Sequence, residues 1–289
     1  MKKVNIVVVT FNRKELLLRL LKRLVEQSFQ PNKIIVIDNA STDGTPEYVS
    51  EFVSAHEQLI HYCRLKTNTG GSGGFHTGVK LAYEMDADYI WGMDDDALPD
   101  RRALEVLVET AQTRDEKSCF VSYTTPKTDP DTLAQIKETK PELISKRTFL
   151  FLGFFLPRVL VEEIGFPRED LFIYFDDIDY STKAFLAGYQ IYQVRDSILE
   201  HPDMMQETKR FNILGKKFTI QKMPKWKWYY YMRNGILVFP PSQQENKLFY
   251  KYHVKRLIGV LFAYPSCFPA AWKGYRDGKK GVTGKNEAL

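Results

Sequence analysis

Val4 to Val9 is a β-branched run of the kind a strand buried on both faces requires, and from Asn12 the apolar positions switch to helical spacing through Leu16, Leu17, Leu20, Leu21 and Leu24. A second apolar run, Lys33 to Ile37, ends in the polar turn Asp38-Asn39-Ala40-Ser41-Thr42-Asp43-Gly44-Thr45-Pro46. Glu47 to Ala55 then reads as a helix with Thr45 as its N-cap. The alternation continues with a strand over Leu59 to Leu65, a glycine-rich turn, a helix from about Gly78 to Met85, and a strand over Tyr89 to Met93. Such repeats predict an α/β fold, a parallel sheet with helices on both faces.

Beyond Pro99 the pattern loosens. A helix near Arg102 to Thr113 and a strand near Phe120 to Tyr123 precede a polar stretch, Thr124 to Lys146, that reads as loop or lid; Phe149 to Leu156 returns to the core. A strand over Gln190 to Val194 follows. From about Lys222 the chain turns aromatic and basic, which predicts a helical C-terminal lobe and a division into 1–221 and 222–289. The apolar stretch Leu257 to Trp272 is broken by Pro265 and Pro269 and falls short of the ~20 residues that span a bilayer.

At 289 residues the chain can bury one large core, or one core and an appended lobe. Met1-Lys2-Lys3 leads straight into a short apolar run without a signal-peptide core or cleavage site, so the expected location is the cytoplasm. Cys63, Cys119 and Cys267 are odd in number and far apart, which argues against a disulfide framework or a thiolate metal site. The net charge of +5 is unevenly spread: from residue 201 onward 17 Lys and Arg stand against 5 Asp and Glu, and 24 against 31 before it. The acidic part suits a catalytic body and the basic part a docking surface. Without a nucleic-acid-binding signature, an anionic membrane leaflet is the expected partner rather than nucleic acid.

Three segments carry candidate chemistry. Trp91-Gly92-Met93-Asp94-Asp95-Asp96-Ala97-Leu98-Pro99-Asp100 ends an apolar strand in three adjacent carboxylates, which repel one another unless a cation sits among them. Mg²⁺ or Mn²⁺ takes carboxylate and phosphate oxygens, and extended-chain alternation puts Asp94 and Asp96 on one side as the metal candidates. A solvated acidic turn is the plain alternative, but the C-terminal end of a strand is where open α/β sheets bind ligands. Upstream, Asn68-Thr69-Gly70-Gly71-Ser72-Gly73-Gly74 leads into a helix, letting backbone N–H groups approach a diphosphate; it is neither a Walker loop nor a dinucleotide fingerprint. Leu171-Phe172-Ile173-Tyr174-Phe175-Asp176-Asp177-Ile178-Asp179-Tyr180 sets carboxylates beside aromatic rings, where partial desolvation makes a better base, or where Asp176 or Asp177 caps a helix through Ala187. His201, before Pro202, is by itself either a structural histidine or a ligand.

Together these segments resemble the inverting glycosyltransferases of family 2, which have the GT-A fold, a Rossmann-like mixed, mainly parallel sheet flanked by helices; the resemblance spans roughly residues 4 to 235. It implies that Asp38 contacts a uracil or thymine base with Thr10, Phe11 and Arg13 beside it, and that Asn68, Gly70, Gly71, Gly74, Asp94 and Asp95 face the nucleotide-sugar donor. Asp94-Asp95-Asp96 would be the metal motif, with Asp94, Asp96 and His201 holding Mn²⁺ or Mg²⁺. Asp177 would be the catalytic base, with Asp176 and Asp179 positioning acceptor hydroxyls.

Within the family the pattern is most similar to bacterial galactofuranosyltransferases, implying UDP-galactofuranose as donor and a glycan or lipid-linked acceptor of cell-surface polysaccharide synthesis at the cytoplasmic face of the inner membrane. Rhamnosyltransferases using dTDP-rhamnose share much of it. The aromatic Arg233-Asn234 segment resembles one found near the acceptor site, and the pair at 176–177 lacks the Arg-Trp ending of processive members, implying addition of one or a few residues. Two other classes remain open: a metal-dependent nucleotidyltransferase, which should carry an early glycine-rich loop that Thr10 to Lys14 lacks, and a sugar-binding domain without turnover.

Overall fold

A computed structural model describes residues 2–202, 207–213, 215–240, 242–243 and 246–288. Contacts divide the chain into two compact units, Met1–Arg168 with Asp177–Met204, and Glu169–Asp176 with Met205–Leu289. Composition changes near residue 222, whereas the second unit starts at Met205 and also takes in Glu169–Asp176.

The first unit opens as strand and helix in turn: β1 (Val4–Thr10), α1 (Lys14–Val25), β2 (Lys33–Asp38), α2 (Thr45–Ala55), β3 (Ile60–Arg64), α3 (Gly70–Glu84) and β4 (Tyr89–Asp94). It continues with β5 (Leu98–Pro99), α4 (Ala103–Gln112), β6 (Ser118–Thr125), α5 (Pro130–Thr139), β7 (Leu143–Lys146), β8 (Phe154–Pro157), α6 (Arg158–Ile164), α7 (Asp176–Leu186) and β9 (Gln190–Glu200). The sheet order is β3-β2-β1-β4-β8-β6-β9-β5, with β7 pairing with β9. β1 to β4, β6 and β9 run in one direction, and β5, β7 and β8 run against them. The parallel strands are those the periodicity predicts, and the mixed, mainly parallel sheet is the one the family resemblance implies.

The unbroken burial of β1 follows from a core on each face. Ile6 and Val8 pack with α1, α2 and α4 through Leu17, Leu20, Leu21, Val49 and Leu104. Val7 and Val9 face the opposite core with Phe75 and Val79 of α3, Leu160 of α6 and Tyr180 of α7. α3 lies so close to the sheet that a Cβ at Gly78 would stand 2.3 Å from Val7 Cγ1, and one at Gly74 2.6 Å from Val9 Cγ1.

Two expectations need correcting. The glycine-rich stretch is no turn: α3 begins at Gly70, so these glycines are its first turns, required in part by close packing on β1. Nor is 124–146 loop throughout, since it holds α5 and β7. Asp129 caps α5 by accepting the Thr132 N–H at 3.0 Å, with Pro130 in its first turn, while Ile136 is its buried residue, too little apolar content for a periodic signal.

The second unit has the hairpin β10 (Thr208–Ile213) and β11 (Lys216–Gln221), then α8 (Lys225–Val238), α9 (Lys247–Ala263) and α10 (Phe268–Lys279). Its core gathers Phe218, Ile220, Trp228, Met232, Leu257, Val260 and Ala271. Among the described residues no helix is long and apolar enough to cross a membrane.

The close approach of α3 generates a stability prediction. Gly78→Ala should destabilise the chain by roughly 1–3 kcal/mol through overpacking, despite the ~1 kcal/mol helix-propensity gain of alanine; denaturant titration checks this, and a stabilised variant would contradict the packing.

Candidate active site

Strands running in one direction bring their C-terminal ends to one crest, where β1 delivers Thr10, β2 Asp38, β3 Arg64 and β4 Asp94. The crest is completed by a strand far away in sequence. β5 pairs antiparallel with β9, Leu98 opposite Glu200, which sets His201 beside the carboxylate turn. His201 Nε2 lies 3.3 Å from Asp96 Oδ1, and the His201 N–H donates to the Thr125 carbonyl at 2.9 Å.

The alternation expected for the three carboxylates ends at Asp94, because Asp95 and Asp96 lie in a turn closed by the Ala97 N–H on the Asp94 carbonyl. Asp95 is therefore directed inward and is 3% exposed. Thr10 Oγ1 donates to its Oδ2 at 2.7 Å, and Arg13 Nη1 to its Oδ1 at 3.1 Å while also reaching Asp96. Burial pushes the Asp95 carboxyl up to about 6, against the pull of the Thr10 hydroxyl and the Arg13 charge. For Asp96 burial again works upward, yet the hydrogen bond with His201 and the charge of Arg13 together hold it below the usual carboxylate range.

Asp96 and His201 thus offer an oxygen and a nitrogen donor in one place, and a guanidinium already stands against the same carboxylates. That donor set fits Mn²⁺ or Mg²⁺ held by few protein ligands and completed by phosphate oxygens. Among the described residues no three His, Cys, Asp or Glu side chains form a ready-made cage. The structure brings Asp96 and His201 together and leaves Asp94 as the partly exposed last residue of β4.

A second group of side chains ties the β2 turn to α3. Asp38 is fully buried; its Oδ1 accepts the Ser41 N–H at 2.8 Å and its Oδ2 the Tyr62 hydroxyl at 2.6 Å, with Arg64 Nε at 3.8 Å. Asn39 donates to the Gly70 carbonyl at 2.8 Å and accepts the Thr69 N–H at 2.8 Å. Asn68 Oδ1 accepts the Gly70 N–H at 2.8 Å. Asn39 and Tyr62 escape sequence reasoning, and the one signal for Asn39 is its place beside Asp38 in a polar turn. Gly71 faces open space, since a Cβ at that position would have nothing within 4 Å, and Phe11 is 41% exposed.

Asp177, the second residue of α7, belongs to the first unit, its Oδ1 accepting the Ile178 N–H at 2.7 Å. Asp179 is held by Lys183 at 2.7 Å and Arg168 at 4.0 Å, ion pairs that fix the helix. Asp176 closes the short segment of the second unit. In that segment Phe172, Tyr174 and Phe175 have φ of 67°, 68° and 69°, a left-handed backbone that costs a non-glycine residue about 1–2 kcal/mol.

The chain is similar to known proteins over most of its length. The family model for glycosyl transferase family 2 matches residues 5–178. The galactofuranosyltransferase GlfT1 of Mycolicibacterium smegmatis is 28% identical over 258 residues, covering 82% of this chain and 83% of that one. The glycosyltransferase AglE of Haloferax volcanii is 26% identical over 211 residues, 69% of this chain and 66% of that one. Among solved structures, the mannosyltransferase PcManGT of Pyrobaculum calidifontis, in complex with GDP-Man and Mn²⁺, aligns with a TM-score of 0.57 at 19% identity, over 94% of this chain and 73% of that one. S. aureus TarS 1-349 in complex with UDP aligns with a TM-score of 0.54 at 16% identity, over 96% and 90%.

The raised Asp95 carboxyl sets the sign of a pH effect. Between the unfolded value near 4 and the folded value near 6 the native state binds more protons, so Asp95 costs stability as pH rises. Compared with the parent in a metal chelator, Asp95→Asn should gain up to about 3 kcal/mol of relative stability between pH 4 and pH 7. Denaturant melts at both pH values check it, and a relative loss would reverse the assignment.

Proposed function

The chain belongs to glycosyl transferase family 2 and has the GT-A fold, and on that premise we propose that it is an inverting transferase carrying galactofuranose from UDP-galactofuranose to a glycan or lipid-linked acceptor. The observation that carries the reading is Asp96 and His201 meeting 3.3 Å apart on the strand crest. The similarity to a galactofuranosyltransferase over most of both chains supports the choice of sugar.

Asp96 and His201 are the residues that would hold Mn²⁺ or Mg²⁺, with Asp94 beside them. The ion, when bound, supplies positive charge against the departing diphosphate. Thr10 and Arg13 fix Asp95 and Asp96. The open face at Gly71 admits the donor to the start of α3, whose N–H groups suit a diphosphate. Asp38, Asn39 and Asn68 keep the base-side wall rigid, with Phe11 exposed at its edge. Asp177 takes the proton of the acceptor hydroxyl as that oxygen attacks the anomeric carbon opposite the leaving UDP, so the configuration inverts without a covalent intermediate. Asp176 would align the acceptor hydroxyl.

For the acceptor's location we propose an anionic membrane surface at the cytoplasmic face. On α9, Leu248, Tyr252 and Phe262 are 79%, 51% and 55% exposed and share one face with Lys251 and Lys255. Exposed Trp272 on α10 lies among Lys273, Arg276 and Lys279. Apolar and cationic side chains at helical spacing suit a lipid interface.

Two measurements test the reading. With Mn²⁺ present, UDP-galactofuranose should raise the melting temperature and be consumed, and Asp177→Asn should abolish transfer while keeping donor protection; protection by dTDP-rhamnose alone would overturn the sugar, and transfer by the variant would overturn the base. In flotation the full chain should rise with vesicles containing phosphatidylglycerol but not with phosphatidylcholine vesicles, and lose this when Lys251, Lys255 and Lys273 become Glu; equal flotation with both would refute the anionic surface.

A further inference from the structure

Arg233 and Asn234 sit in α8 with no exposed surface at all. A guanidinium and an amide are costly to bury unless their hydrogen-bonding groups are used, and theirs converge on one target. Asn234 Nδ2 donates to the carbonyls of Leu171 at 2.8 Å, Ile173 at 2.7 Å and Tyr174 at 3.1 Å. Arg233 Nη2 donates to the Leu171 carbonyl at 2.8 Å, its Nη1 to the Gly284 carbonyl, and its Nε to Asn234 Oδ1 at 2.8 Å, which fixes how the amide is turned. The guanidinium also lies over the Tyr230 ring, 4.8 Å from its centroid, and that ring stacks on Phe172 at 4.8 Å.

The clamped carbonyls belong to the segment that holds Phe172, Tyr174 and Phe175 in left-handed backbone. Bulky side chains do not hold that conformation unaided, and it persists only where surroundings over-determine it. A core position wanting only volume would take leucine or methionine. Here polar heads are buried against three carbonyls within four residues, immediately ahead of Asp176 and Asp177. We propose that Arg233 and Asn234 are positioning residues, which hold this strained segment so that the acidic pair is presented to the acceptor in one geometry. The proposal rests on the reading of Asp177 as the base.

Asn234→Ala removes the amide donations to Leu171, Ile173 and Tyr174 but leaves the crest side chains untouched. With the donor that the parent turns over among UDP-galactofuranose and dTDP-rhamnose, following nucleotide release in Mn²⁺, kcat should fall on the order of 100-fold, while the KM for donor changes less than about threefold. Amide hydrogen exchange over 171–177 should accelerate, with the β1 and β2 peptides unchanged. A kcat within threefold of the parent, or unchanged exchange, overturns the proposal; a matching loss of donor binding and sheet protection assigns the pair to general stability instead.

Should that variant fail to fold, Phe172 decides. Phe172→Asn and Phe172→Val both remove a partly exposed ring, but asparagine accepts a φ near 67° and valine resists it. Asn should retain most of kcat and Val lose it, and equal values overturn the proposal. Asp177→Asn, measured alongside, separates the two readings: if it keeps turnover the base assignment fails, whereas a silent Asn234→Ala beside a dead Asp177→Asn sinks the clamp alone.

Discussion

Three consecutive carboxylates at the end of a buried strand can share their place only if positive charge and hydrogen-bond donors stand among them. In this chain that requirement is met from the ends of two strands, β1 and β9. Thr10 and Arg13, at the end of β1 and in the turn after it, take Asp95 inward; His201, after β9, takes Asp96. The two acids consequently diverge, one pushed up to about 6 and the other held below the usual range. Asp96 and the His201 imidazole are thereby left side by side, while the buried Asp95 keeps the turn in shape.

The fold serves this arrangement through strand direction. Parallel strands pool their C-terminal ends, so residues separated by nearly the whole first unit meet on one crest. The short antiparallel pairing of β5 with β9 completes it, because Leu98 and Glu200 in register leave His201 one step from the turn. In the second unit the same economy appears at the level of backbone: two buried polar side chains hold carbonyls of a segment whose conformation its own residues disfavour.

Much of this is legible in the residues. The apolar runs at Val4 to Val9 and Tyr89 to Met93 announce strands buried on both faces, and the leucine spacing of α1 announces its helix. Asp94-Asp95-Asp96 can be placed at a strand end for the same reason. The inward turn of Asp95 cannot, since it depends on Thr10 and Arg13, 85 and 82 positions earlier in the chain. The glycines of α3 read as a ligand turn because close helix-to-sheet packing leaves the same signature as a flexible loop. α5 escapes the pattern because it buries little beyond Ile136, and the left-handed run at 172–175 carries no glycine to advertise it.

The meeting of Asp96 and His201 is tested most directly by Mn²⁺ binding in the presence of UDP, followed by titration calorimetry on the parent, Asp96→Ala and His201→Ala chains. If these two side chains hold the ion, the parent binds it and each variant weakens binding at least about tenfold, with the sheet still folded. Equal Mn²⁺ affinity in all three would contradict the site.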